Sequence, residues 1–215
     1  MNWFKKLIGG ADDKEVAPRS LDHPKDLQIG DVIKFGFCGL DDLSNVNAVV
    51  KEVNSYDLNS AQRKTVFTLD AAGHLYFMAV RNERGAESIE IARLILPPVV
   101  DQLFGFDQFA KIIESDSVDG ELKRKTEPGE IVGWTAASYF QEAYNEAYFH
   151  AGDYREKLLP SSKDNCSAFD YYLLVSQDRK HALQIEVYEG SRTDVLLLAY
   201  LPVRAIEELW PAKQS

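Results

Sequence analysis

Hydrophobic and polar positions change their period along the chain, and each change predicts a different kind of element. Ile33, Phe35 and Phe37 alternate with Lys34 and Gly36, the two-residue period of a half-buried strand. Ile29-Gly30-Asp31 before it reads as a tight turn or bulge, and Gly39-Leu40-Asp41-Asp42 ends it. Val46 to Val53 predicts a second strand. Thr65 to Leu69 and Leu75 to Val80 predict a third and a fourth around the hairpin loop Asp70-Ala71-Ala72-Gly73. Ser88 to Leu96 predicts a fifth, closed by Pro97-Pro98. No segment between these runs is long enough for a helical crossover, so they predict an antiparallel meander or small barrel.

From Val99 the period lengthens. Val99, Val100, Leu103 and Phe104 have helical spacing, and after Gly105 a capping Asp107 starts a second set carrying Phe109, Ile112 and Ile113. The polar stretch 115–130, with Gly120 and Pro128-Gly129, predicts an exposed connection. From Ser138 to His150 two patterns share a four-residue interval: Glu142, Glu146 and His150 on one hand, Phe140, Tyr144 and Tyr148 on the other. That spacing predicts a helix with one wet and one packed face. Strands return in Phe169 to Val175, apolar on both faces. Another is Leu183 to Tyr188, where Gln184, Glu186 and Tyr188 form a wet face, and Val195 to Leu201 is apolar enough to sit centrally. Pro202 stands at a plausible first helical position, with Ile206, Leu209 and Trp210 as the stripe of a C-terminal helix.

The expected fold class is therefore α+β. Two antiparallel strand-rich parts, a small barrel or meander and a C-terminal sheet, are joined by a short helical segment and followed by a C-terminal helix. The expected organisation is an N-terminal segment and linker over 1–26, a β part over 27–98, and a helical connection with a C-terminal α+β part over 99–215. No residue pattern reveals an internal repeat.

The first ten residues stand apart. Wound as a helix, Trp3, Phe4, Leu7 and Ile8 share a face, Lys5 and Lys6 turn away, and Gly9-Gly10 stops the turn. Residues 11–26, with five acids, three bases and two prolines, have linker composition. Such an end suits docking on the protein's own body, a protein partner or a membrane surface. Fewer than three turns make an isolated helix marginal in water, so attachment to lipid would be weak and reversible.

Composition narrows the classes. The 215 residues are 45% hydrophobic and carry a net charge of -10, which places them among folded chains whose surface repels phosphate backbones. Nucleic acid is not an expected partner. Cys38 and Cys166 have neither zinc-ligand spacing nor a disulfide framework. No apolar run approaches the roughly 20 residues needed to span a bilayer, and no cleavage site follows the N-terminal patch. The expected location is the cytoplasm, with peripheral attachment at the inner membrane.

Candidate chemistry is sparse. On a helix, Glu142, Glu146 and His150, with Asp153 after the Ala151-Gly152 break, would share a face and could chelate a divalent ion. The competing reading is a solvated face, because a single helix rarely supplies enough ligands. The loop 115–121 lacks the acids of a calcium loop, and Gly36-Phe37-Cys38-Gly39 lacks the spacing of a phosphate loop. No cofactor and no catalytic residue is expected. Trp3-Phe4-Lys5-Lys6-Leu7, Leu27-Gln28-Ile29-Gly30-Asp31 and Tyr148-Phe149…Gly152-Asp153-Tyr154-Arg155 together resemble the uncharacterised bacterial YjfK-like family. The resemblance extends over essentially the whole chain. It implies a cytoplasmic bacterial protein encoded near phage-shock-protein-A-like membrane-stress proteins, and no catalytic residues to carry over. The expected function is thus a non-enzymatic accessory or interaction protein working through its N-terminus. The alternative is a small-ligand- or metal-binding enzyme with a site between the two β parts.

Overall fold

Alternating aromatic and β-branched residues build strands over most of the chain, and every pairing between them is antiparallel. The structure is a computed structural model and describes residues 19–59, 62–83, 85–114, 119–160, 166–190 and 192–213. Trp3, Phe4, Leu7 and Ile8 lie outside the described residues. The strands are β1 (Val32–Phe35), β2 (Asn47–Asn59), β3 (Gln62–Ala71), β4 (His74–Glu83) and β5 (Ala86–Ile95). They continue as β6 (Glu121–Lys123), β7 (Ser138–His150), β8 (Ser167–Ser176), β9 (His181–Tyr188), β10 (Thr193–Pro202) and β11 (Ile206–Trp210). Two short helices, α1 (Pro97–Phe104) and α2 (Phe106–Glu114), stand between β5 and β6.

The order in the sheet is β11-β1-β2-β3-β4-β5-β10-β9-β8-β7-β6, and β2 also pairs with β7. That extra pairing, Ser55 with His150, Tyr56 with Phe149 and Asp57 with Tyr148, closes β2-β3-β4-β5-β10-β9-β8-β7 into a ring. Closure satisfies backbone groups that an open edge would leave exposed. The ring joins two consecutive meanders, β1–β5 and β6–β10, through their second strands (β2 with β7) and their last (β5 with β10). The likeness extends to their hairpins: Ala72 and Arg179 take left-handed φ of 53° and 57° just before β4 and β9. A repeat invisible in the residue pattern is therefore present in the topology.

Alternate residues of the ring strands feed different cores. Phe67, Leu69, Tyr76, Met78, Ile89, Ile91, Leu174, Leu183, Ile185 and Leu197 belong to one large buried cluster with Ile33, Phe35, Leu103, Phe104 and Trp134. Residues of the other parity, among them Ala92, Leu196, Leu198 and Phe169, form two smaller clusters.

With 52% strand against 14% helix, the chain is a mostly-β protein, not the α+β fold expected from the sequence. Two helices predicted by periodicity are strands. Residues 138–150 form β7, and 206–210 form β11, which pairs with β1 after a 3-10 turn at Val203–Ala205. A four-residue interval returns to the same face in a strand as well as in a helix, so it could not distinguish the two. The aromatic content of 139–149 was the better signal.

Candidate functional site

The residues nominated as metal ligands do not converge. Four residues along a strand advance about 13 Å, against about 6 Å on a helix face, so Glu142, Glu146 and His150 cannot reach one ion from β7. Each is engaged separately. Glu142 accepts from Arg179 Nη1 at 2.5 Å, and Glu146 accepts from the Tyr148 hydroxyl. His150 is buried against β2, and burial lowers its imidazole pKa. Asp153 accepts from Arg155 Nε at 2.9 and 3.1 Å, and that guanidinium holds its carboxyl below the usual range. Among the described residues no cluster of three His, Cys, Asp or Glu side chains could hold a metal ion.

What the ring does create is a bore. A cavity of about 270 Å³ is lined by Glu52, Asn54 and Tyr56 of β2, Val66 and Thr68 of β3, Phe77 of β4 and Leu94 of β5. Across from them stand Phe149 of β7, Ser167 of β8, Glu186 and Tyr188 of β9, Asp194 and Leu196 of β10, and Arg192 just before it. All eight ring strands contribute. The Tyr56 ring lies 5.3 Å from Phe149 and 5.9 Å from Phe169, both edge-on.

Glu186 is the chemically distinctive group. It is 2% exposed, and its carboxylate accepts from Gln184 Nε2 and from the Tyr188 hydroxyl, each at 2.5 Å. Burial raises its pKa despite those two bonds and the charge of Lys64, because low-polarity surroundings penalise the ionised form. Burial next to this acid also pushes the Tyr56 and Tyr188 hydroxyls far above their ordinary range. Arg192 is not hydrogen-bonded to Glu186, although their charges interact. It bonds Asp194, with Nε 3.2 Å from the carboxylate, and stacks its guanidinium 4.6 Å over the Tyr188 ring. Toward the other end of the bore the inward row of β10 passes through Leu196 and Leu198 to Tyr200, and that of β5 from Leu94 through Ala92 to Glu90.

None of these groups was singled out from the sequence. The alternation of Gln184, Glu186 and Tyr188 predicts a wet face, but that face lines the bore rather than bulk solvent. The available signal was position: β9 lies between the apolar strands β8 and β10, where an acid is costly without partners. A second hollow, about 320 Å³ between α1, α2 and the edges of β5 and β10, is lined mainly by Ile95, Val100, Phe106, Phe109, Ile113 and Val195 and converges no comparable polar set. Among the described residues no helix is long and apolar enough to cross a membrane. Comparison with known proteins finds no matching family model, no matching curated protein and no matching solved structure.

Proposed function

We propose that the chain is a binding protein that holds a small organic amine in the bore of its strand ring. The supporting observation is a buried carboxylate, Glu186, in a cavity walled by Tyr56, Phe77, Phe149 and Tyr188 and flanked by Glu52 and Asp194. Aromatic faces and carboxylates are the groups that recognise an ammonium: the rings attract it through their quadrupoles, and the carboxylate accepts its N–H bonds. A volume of about 270 Å³ suits a small molecule with an apolar body.

Binding of a cation would stabilise ionised Glu186 and release the proton that burial favours. Affinity for an amine should therefore rise as pH climbs from the ordinary carboxylate range through the raised pKa of Glu186. Calorimetric titration with phenethylammonium, 2-phenylethanol and phenylpropionate tests the reading. The amine should bind in preference to its neutral and anionic analogues, and Glu186→Gln should weaken it about tenfold or more, the effect of one charge-assisted hydrogen bond. Equal binding of all three compounds, or an unaffected Glu186→Gln variant, would refute it.

A second reading rests on the apolar spacing of Trp3, Phe4, Leu7 and Ile8 in the sequence. In it, the N-terminal segment brings this binding body to a protein partner or to the cytoplasmic face of the inner membrane. Deleting residues 1–10 should leave the melting temperature unchanged while abolishing co-sedimentation with anionic liposomes. A large fall in melting temperature with no lipid binding in either form would count against it.

A further inference from the structure

The ladder between β3 and β4 stops short of the strand ends. Their ladder runs from Ala71 with His74 to Phe67 with Met78 and goes no further, although β3 continues back to Gln62 and β4 on to Glu83. A cavity of about 490 Å³ occupies this split. Its lips are Arg63, Lys64 and Thr65 of β3 and Val80, Arg81, Asn82 and Glu83 of β4. Glu90, Tyr171, Leu173 and Tyr200 line it from the bore, and Lys25 and Arg155 from outside. Residues of both parities line the cavity, as a passage through the sheet requires.

Its charge runs against that of the protein. The whole chain has a net charge of -10, yet five bases, Lys25, Arg63, Lys64, Arg81 and Arg155, meet here. The acids that line it, and Asp153, are already engaged, while Asp26 and Glu156 share a neighbouring hollow with Lys25 and Arg155. Glu90 binds Lys64 and lies 3.8 Å from Arg81, Glu83 binds Arg81, and Asp153 binds Arg155. Arg63 spends Nη1 on the carbonyls of Tyr154 and Lys157, both at 2.9 Å, and Arg155 gives its own Nη1 to the carbonyl of Lys25 at 2.5 Å. Backbone carbonyls position the Arg63 guanidinium without neutralising it, whereas Arg155 already gives Nε and Nη2 to the Asp153 carboxylate. Among the described residues the Lys25 ammonium makes no hydrogen bond or ion pair.

We propose that the split between β3 and β4 is an anion-binding portal, taking a small molecule through its phosphate or carboxylate group on Arg63 and Lys25. A guanidinium fork matches either oxyanion, and the unpaired strand lips supply backbone N–H groups beside it. The portal is separate from the amine cavity and stands whether or not that reading does.

The test is calorimetric titration of the full chain with inorganic phosphate and, separately, succinate at constant ionic strength, alongside co-sedimentation with phosphatidylglycerol vesicles. One or both small anions should bind saturably. Lys25→Gln, which removes an ammonium with no hydrogen bond or ion pair among the described residues, and Arg63→Lys, which keeps the charge but loses the fork, should each weaken binding about tenfold. Unaltered melting temperatures in the absence of anion would show that both variants fold. Three results would overturn the proposal: no saturable binding of either anion, affinity unchanged from the wild type in both variants, or binding to vesicles alone.

Discussion

At position 186 a carboxylate is held where water scarcely reaches, and its energetics should be readable in the pH dependence of stability. Its folded-state pKa lies above the unfolded value of 4.5, so its favourable contribution is full below that value and is lost as pH rises through the folded pKa. Removing the charge with Glu186→Gln should therefore improve stability relative to the wild type at pH 7 compared with pH 4. Urea unfolding at the two pH values measures this, and a pH-independent difference would mean that Glu186 is not desolvated. Asp31 is the opposite case, a fully buried carboxylate with ample partners. It accepts from the backbone N–H of Gln28 at 2.7 Å and of Ala212 at 2.8 Å, and from Arg19, so it ties the entry to β1 to the end of β11. Asp31→Ala would strand two amide donors and should cost about 2–5 kcal/mol in urea unfolding. The sequence showed Gly30-Asp31 as a turn. It could not show that the side chain reaches a residue 181 positions away.

Among the elements, those read correctly have a period that admits only one geometry. Ile33 and Phe35, or Leu183, Ile185 and Val187, alternate at two residues, which a helix cannot accommodate on one face. Residues 138–150 failed because a four-residue spacing fits both. Residues 206–210 failed because a register shift that skips Glu207 lets Ile206 and Leu209 both pack on the core, as on a helix. In each, the partner strand, β2 or β1, is remote in sequence. The consequence for chemistry is direct: a ligand set imagined on a helix becomes three separate strand positions. Glu142→Ala should change stability by about 0.5 kcal/mol or less, since its pair with Arg179 is exposed. Leu197 is fully buried in β10 between β5 and β9, and Leu197→Ala should cost about 2–5 kcal/mol. Thermal or urea unfolding of the two variants checks both values, and a costly Glu142 beside a neutral Leu197 would reverse the assignment of surface and core.

For the molecule as a whole, the functional proposals depend on ring closure. The first meander was legible because its hairpins are local. The ring was not, because it is made by β5 with β10 and β2 with β7, pairings that join distant segments and leave no mark in local periodicity. Closure also explains the unusual strand faces. Polar side chains such as Asn54, Thr68, Gln184 and Glu186 are buried on the inward parity because a bore with its own hydrogen-bonding groups can accommodate them. The acidic cavity and the basic portal then give the bore two ends of opposite character on a protein that is acidic overall. The most direct test of this architecture is a nuclear Overhauser experiment on isotopically labelled full-length protein. Closure predicts backbone cross-strand contacts of Ser55 with His150, Tyr56 with Phe149 and Asp57 with Tyr148, and extended-strand chemical shifts throughout 138–150. Helical shifts in that segment, or contacts from β7 to β8 and none to β2, would contradict the ring and remove the bore on which both binding sites rest.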